Sequence, residues 1–306
     1  MADRSCVIFN PAAGRGKARR RIEAAMHRLG SHVQLIPTER PNHAIELAER
    51  AAHDGFTRII AAGGDGTVHE VANGLLRSSQ SSFRFSTLPL GSMNDYAFAL
   101  GLSRWWMQPE SAPPLQTVSV DVGVIRADGR ERYFVNGIGV GFNGMVTIES
   151  RRIRWLRGLP LYTLAFLRAG IKHFAQLDLD ITFDEKTARF PTLALSVNLG
   201  QREGGFPVTP RARLDDGVFD LLHATGLRRW QLLRYFPALM TGNLPQNHPK
   251  LRTGTCQRVR VQSAQALCVH ADGELFCVPE DGVNQIEVEI LSRKLPVETC
   301  PDWLPN

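Results

Sequence analysis

No apolar run in the chain reaches the ~18 residues a membrane-spanning helix needs. The opening Met-Ala-Asp-Arg leads straight into a short apolar run ending at Asn10-Pro11. It has neither the longer apolar core nor the cleavage site of a secretory leader, so a cytoplasmic protein is expected. The five cysteines (Cys6, Cys256, Cys268, Cys277, Cys300) are an odd number without a Cys-x-x-Cys pair. Free thiols are therefore expected rather than disulfides or structural zinc. Repeats at a solenoid period and low-complexity segments are absent, which excludes stacked-repeat and disordered classes. Two familiar phosphate-binding signatures are missing as well. Gly14-Arg15-Gly16 lacks the third glycine of the dinucleotide fingerprint, and no Gly-x-x-x-x-Gly-Lys-Ser/Thr occurs.

Acid is missing from two long stretches. Residues 221–271 hold no Asp or Glu but carry Arg228, Arg229, Arg234, Lys250, Arg252, Arg258 and Arg260. Residues 151–177 likewise carry only basic charge, with Arg151, Arg152, Arg154, Arg157, Arg168 and Lys172. The whole chain has 36 basic and 30 acidic residues, so its distribution of charge says more than the net +6. Such stretches suit an anionic partner: phosphate, an acidic membrane surface or nucleic acid. No nucleic-acid-binding motif accompanies them, so no nucleic-acid partner is expected.

The chain has two rhythms. Up to about residue 120, short β-branched runs at 5–9, 32–36, 58–62 and 83–88 alternate with helical patterns at 17–29, 42–53, 68–76 and 94–100. Alternation of that kind predicts a doubly wound α/β domain with ligands beyond the carboxyl ends of its strands. From there to about residue 292 the strands at 118–125, 132–139, 178–183, 192–199, 218–223, 258–262, 266–270 and 285–291 predict an antiparallel β-sandwich. Helical patterns at 161–174 and 227–240 interrupt it. The fold class is thus α/β plus all-β, with domains at 1–120 and 121–292 and a tail from about 293 to 306 left to pack back on the first.

Three loops at strand ends carry phosphate-type chemistry. Gly63-Gly64-Asp65-Gly66-Thr67 joins a strand to a helix, where missing Cβ atoms let backbone N–H groups approach phosphate oxygens. The helix start at Thr67-Val68 adds its positive end. A carboxylate at Asp65 would repel phosphate, so it suits a metal or a proton-accepting role. Leu88-Pro89-Leu90-Gly91-Ser92-Met93-Asn94-Asp95 again joins strand to helix, with a hydroxyl at Ser92 and natural helix caps at Asn94 and Asp95. Asn10-Pro11-Ala12-Ala13-Gly14 precedes Arg15 and Lys17, the first of a basic series.

These segments resemble the diacylglycerol kinase catalytic domain in order and spacing: Asn-Pro-x-x-Gly, then Gly-Gly-Asp-Gly-Thr-x-x-Glu-Val-x-Asn-Gly-Leu, then Pro-Leu-Gly-Ser-x-Asn-Asp-Tyr-Ala. The likeness extends to bacterial soluble lipid kinases, to sphingosine and ceramide kinases and to the NAD kinase-like superfamily. Arg213-Leu214-Asp215-Asp216-Gly217 and Asp272-Gly273-Glu274 look like the family's two acidic signatures. The resemblance implies an ATP-dependent lipid kinase, with nucleotide on the first domain facing a lipid pocket in the sandwich across a cleft. It implies nucleotide contacts at Asn10, Pro11, Ala12, Ala13, Gly14, Lys17, Thr38, Gly63, Gly64, Asp65, Gly66, Thr67, Val68, His69, Ser92, Asn94 and Asp95. Catalysis would fall to Asp65 and to the turn carrying Asp272 and Glu274, either of which could be the base. Mg²⁺ would sit at Asp216 with the carbonyls of Arg213 and Val218.

The chain departs from the family pattern at Ala13, where Ser is usual, at Ser92 for Thr, and at His69, where many bacterial members carry Asn. Leu164, Leu167, Ile171 and Phe174, with Arg168 and Lys172 between them, read as a helix able to lie on an anionic membrane. The expected location is cytoplasmic, with peripheral contact at the inner membrane face; a homodimer stays open. Two alternatives remain: a kinase of a soluble hydroxyl compound, as in NAD kinases, or a silent nucleotide- or lipid-binding regulator.

Overall fold

Apolar runs such as Cys-Val-Ile-Phe and Ile-Ile-Ala-Ala are buried along their whole length, as strands covered on both faces must be. The computed structural model describes residues 4–29, 32–80, 82–108, 111–245 and 248–304. It divides into two units, Met1–Val120 with Arg293–Asn306, and Asp121–Ser292.

The first unit runs β1 (Ser5–Phe9), α1 (Ala13–Gly16), α2 (Ala18–Leu29), β2 (Val33–Pro37), α3 (His43–His53), β3 (Arg58–Gly63), α4 (Asp65–Arg77), β4 (Arg84–Pro89), α5 (Asp95–Ala99) and α6 (Leu102–Met107). Its strands are parallel in the order β2-β1-β3-β4, and Val297 of the returning segment pairs in parallel with Phe85. Ala18, Ile22 and Leu29 of α2 pack on Val7, Phe9, Ile60 and Ala62. Helices α3 and α4 approach so closely that a Cβ on Gly74 would lie 2.2 Å from the carbonyl oxygen of Ile45.

The returning segment is tied in by charge. Glu298 accepts from Arg58 at 2.7 Å and from Arg84 at 2.9 Å, with the Arg58 and Glu298 side chains only 9% and 7% exposed. Removing the carboxylate leaves a buried guanidinium without its counter-charge. Glu298→Ala is expected to destabilise the protein by about 3–5 kcal/mol in denaturant unfolding, and Glu298→Gln by less.

The second unit contains β5 (Gln116–Ala127, which begins in the first), β6 (Arg130–Phe134), β7 (Gly137–Gly141), α7 (Phe142–Arg152), α8 (Leu159–Lys172), β8 (Leu177–Phe183), β9 (Lys186–Asn198), β10 (Phe219–Thr225), α9 (Arg229–Thr241), β11 (Leu251–Cys256), β12 (Arg258–Ser263), β13 (Val269–Ala271), β14 (Glu274–Cys277) and β15 (Gln285–Thr299, which ends in the first). Its pairings are antiparallel, β14-β13-β7-β9-β8-β12-β15, with β10 beside β9 and β11 beside β10. Phe134, Ile138, Val197, Phe219, Val261, Val269 and Ile286 are among the residues of its core. The predicted hairpin closes on Asp128-Gly129, at φ 48° and 73°, the left-handed pair that two-residue hairpin loops require.

Helix α6 and strand β14 lie outside the expected elements, and three further features differ from expectation. The segment predicted as one strand over 132–139 is two, interrupted at Val135-Asn136. Helix α7 buries Phe142, Gly144, Thr147, Glu149 and Ser150, a face with too little apolar character to show a helical period in the sequence. Strand β11, Leu-Arg-Thr-Gly-Thr-Cys, is buried only at its ends and so lacks the alternation of a half-buried strand.

Candidate active site

In the first unit, Phe9 lies opposite Pro37 on one side and Ala62 on the other, and Ala62 lies opposite Leu88. Four loops therefore leave the same edge of the sheet side by side. Because β1 stands between β2 and β3, the chain turns towards β2 after β1 and towards β4 after β3. This divergence opens the crevice where doubly wound sheets take their ligands.

Backbone contacts knit the loops together. The N–H groups of Leu90 and Gly91 donate to the Gly63 carbonyl at 2.8 and 3.0 Å, and Thr38 N–H to Phe9 O at 2.8 Å. A Cβ on Gly91 would lie 2.4 Å from Gly64 Cα, and one on Gly63 would lie 2.3 Å from Thr67 Oγ1. Gly91 requires glycine because the Gly64 backbone passes where a side chain would stand, and Gly63 because the Thr67 side chain already fills that space. Asp65 Oδ2 accepts the N–H of Asn94 at 2.9 Å, and Asn94 Oδ1 accepts that of Gly91 at 3.0 Å. Asn94 has a φ of 56°, the left-handed region that asparagine tolerates. In the first loop, Asn10 Oδ1 accepts from Ala12 N–H at 2.9 Å and thereby turns the chain into α1.

The residues singled out in the sequence separate into two groups. Asn10, Pro11, Ala12, Ala13, Gly14, Lys17, Thr38, Gly64, Asp65, Gly66, Ser92 and Asn94 are exposed or half-buried in these loops and their flanks, while the Arg15 side chain lies outside the described residues. Gly63, Thr67, Val68, His69 and Asp95 are buried. The His69 ring is 4% exposed and lies 3.4 Å from Asn73 Nδ2, within α4. Glu70 has a role the sequence did not disclose: its carboxylate accepts the N–H groups of Asn42 and Ala44 at 3.0 and 3.1 Å. It caps the start of α3 and so steadies the loop that carries Thr38.

In the second unit, Asp272 and Gly273, at φ 51° and 79°, form a two-residue hairpin loop between β13 and β14. The Asp272 carboxylate accepts three backbone N–H groups, from Val135 at 3.0 Å, Asn136 at 2.8 Å and Gly137 at 3.0 Å. These satisfy the break between β6 and β7. Glu274 projects from the first position of β14, half-buried, and pairs with Arg151 of α7 at 2.5 Å.

The other acidic signature is a cluster. Gly217 N–H donates to Asp121 Oδ2 at 2.7 Å and Val218 N–H to Asp216 Oδ1 at 3.3 Å. Desolvation, reinforced by the charges of Asp121 and Asp215, raises the Asp216 carboxyl above its usual range. Burial, then the charge of Asp216, pushes Asp220 up to about 6. Among the described residues, no group of three or more His, Cys, Asp or Glu side chains converges as a metal cage would. A cation here would depend on at most two carboxylates, Asp216 among them, supplemented by backbone oxygens such as the carbonyls of Arg213 and Val218. Hard oxygen donors of that kind suit Mg²⁺, and mutually repelling carboxyls are a setting that a cation relieves.

Fold and site together describe a phosphotransferase with an α/β domain and an NAD kinase-like β-sandwich. The diacylglycerol kinase catalytic domain model matches residues 4–125 and the YegS C-terminal NAD kinase beta sandwich-like domain model matches residues 136–291. The chain belongs to the diacylglycerol kinase catalytic-domain family of lipid kinases. It is 32% identical to a Chromohalobacter salexigens protein named "probable lipid kinase YegS-like", over 80% of this chain and 78% of that one. It is 27% identical to a Staphylococcus aureus diacylglycerol kinase over 90% of this chain and 87% of the other. A solved diacylglycerol kinase from Bacillus anthracis str. Sterne shares the fold, with a TM-score of 0.70 at 19% identity, covering 98% of both chains.

Proposed function

We propose that the chain transfers the γ-phosphoryl group of ATP to the hydroxyl of a diacylglycerol-like or sphingoid lipid. The observation that carries this reading is the meeting of Gly63-Gly64 and Gly91 at the switch point of the parallel sheet, with Asp65 joined to Asn94 across it. Backbone N–H groups at the start of α4 and the loops at 10–14, 38 and 91–94 would hold the phosphates. Asp65 would position Mg²⁺ or the acceptor hydroxyl. In the transfer, the new O–P bond forms to the lipid oxygen while the bond to the β-phosphate oxygen breaks, leaving ADP. The hydroxyl proton goes to Glu274. Asp272 is assigned the structural role because its carboxylate already accepts three N–H groups. A second Mg²⁺, held by Asp216 and the carbonyls of Arg213 and Val218, would supply charge neutralisation within the sandwich.

The acceptor is met at an anionic bilayer, on the cytoplasmic side. Trp155, Ile171, Trp230 and Leu233 are 75%, 72%, 58% and 57% exposed, on and beside α8 and α9. Helix α8 packs through Ala165, Phe166, Ala169 and Gly170, which leaves Ile171 outward. Part of the basic charge is neutralised from within: Glu149, fully buried, pairs with Arg152, Arg168, Lys172 and His173 at 2.6, 3.2, 3.6 and 3.2 Å. Arg154 and Arg157 have no ion pair among the described residues and remain for headgroups. Arg154→Glu with Arg157→Glu is expected to abolish co-sedimentation with anionic vesicles; binding indifferent to lipid charge would remove the membrane contact.

The function itself is tested by offering γ-labelled ATP and Mg²⁺ with diacylglycerol, monoacylglycerol, sphingosine, ceramide or phosphatidylglycerol in mixed micelles. At least one lipid is expected to carry label. Label in none, with ATP still bound, would overturn the reading.

A further inference from the structure

A buried polar chain lies behind the turn that carries Glu274. His270 of β13 is 3% exposed. Its Nδ1 lies 3.3 Å from the N–H of Gly273, and a backbone N–H can only donate, so Nδ1 is the acceptor. The ring proton therefore sits on Nε2, which donates to Glu203 Oε1 at 2.8 Å. Glu203 is held in turn, by Asn143 Nδ2 at 2.9 Å on Oε1 and by the Ser196 hydroxyl at 2.7 Å on Oε2. Asn143 also donates to Ser196 Oγ at 2.7 Å, which closes the network. Strand β7 makes room for it: a Cβ on Gly139 would lie 2.4 Å from His270 Nε2 and 2.5 Å from Asn143 Cβ.

A histidine needed only to fill this space would have no reason to present Nδ1 to the hairpin loop. We propose that Glu203 and His270 form a positioning pair for Glu274. Glu203 fixes the tautomer and plane of the ring, the ring holds the Gly273 N–H, and the loop so held aims the next residue. Three-sided support of the loop results, with Asp272 anchored on the strand break at 135–137 and Arg151 on the Glu274 carboxylate. This inference rests on Glu274 being the base of the proposed transfer.

Two near-isosteric substitutions separate the halves of the ring. His270→Asn keeps an acceptor where Nδ1 stands, and His270→Gln keeps a donor where Nε2 stands. His270→Asn, which keeps the acceptor for the Gly273 N–H but loses the hold of Glu203 on it, is expected to lose only about threefold in kcat. His270→Gln should lose about 10- to 100-fold in kcat with KM for ATP unchanged, the scale of a misplaced catalytic group. Equal losses in both variants, or a loss seen in KM for ATP, would overturn the proposal. Ring ¹⁵N shifts of the unsubstituted protein give an answer that needs no variant to fold: Nδ1 should be the unprotonated nitrogen, and a proton found there contradicts the assignment. Glu274→Gln, assayed beside them, should be nearly inactive; full activity in that variant would remove the base role itself, whatever the His270 variants show.

Discussion

Asp65→Asn is expected to lower phosphoryl transfer about 10²- to 10³-fold while leaving the melting temperature unchanged, the usual scale for removing one charge-positioning group from a preorganised site. Asparagine retains an oxygen that can accept the Asn94 N–H, now made at 2.9 Å to Asp65 Oδ2. The link between the two loops therefore survives and only the negative charge is lost. Affinity for ATP measured without metal should hold or tighten, because a charge that repels phosphate is gone. An Asp65→Asn protein with wild-type turnover would take this residue out of the mechanism and reduce it to a tie between loops.

The opposite kind of damage is expected from Gly91→Ala. The added Cβ would stand 2.4 Å from Gly64 Cα, which is backbone, and 2.8 Å from Asn94 Oδ1, the end of a side chain tied to both the N–H and the carbonyl of Gly91. The loops must part, which costs about 1–3 kcal/mol of stability as overpacking does. Their N–H groups also lose their common aim, so KM for ATP should rise at least about tenfold, the equivalent of about 1.4 kcal/mol. Gly74→Ala is the control. Its Cβ would meet the Ile45 carbonyl at 2.2 Å in the packing of α3 on α4, so it should destabilise without the same rise in KM among molecules that fold. Initial rates at varied ATP, with thermal melts of each variant, separate the two effects.

The loops of the first unit were legible in sequence because each is a local motif at the end of an apolar run, with glycines marking where backbone meets backbone. Their mutual contacts were less so. That Gly91 must be glycine because of Gly64, or that Glu70 caps a helix whose start is 26 to 28 residues earlier, follows only from the strand order. The sandwich was legible as a class through its alternating strands and its Asp-Gly turns. Helix α7 was hidden because the face it buries contains glycine, threonine, serine and a glutamate. That same Glu149 limits what the acid-free stretch after it can mean, since it neutralises cations that the sequence presents as unpaired. Asp272 and Glu274, two residues apart and alike in charge, have no local feature that separates them in sequence; the three backbone N–H groups that Asp272 accepts come from the distant residues 135–137. The partnership of Glu203 with His270, 67 residues apart, has no local signature at all.

In the proposed reaction, phosphate passes from ATP to a lipid hydroxyl. A matched pair of acceptors tests it most directly: an acceptor diacylglycerol or sphingoid lipid and the same lipid with its free hydroxyl methylated, in identical micelles with Mg²⁺ and γ-labelled ATP. Label in the lipid phase with the first and none with the second is the expected result. Equal labelling of both, or label released only as inorganic phosphate, would contradict it.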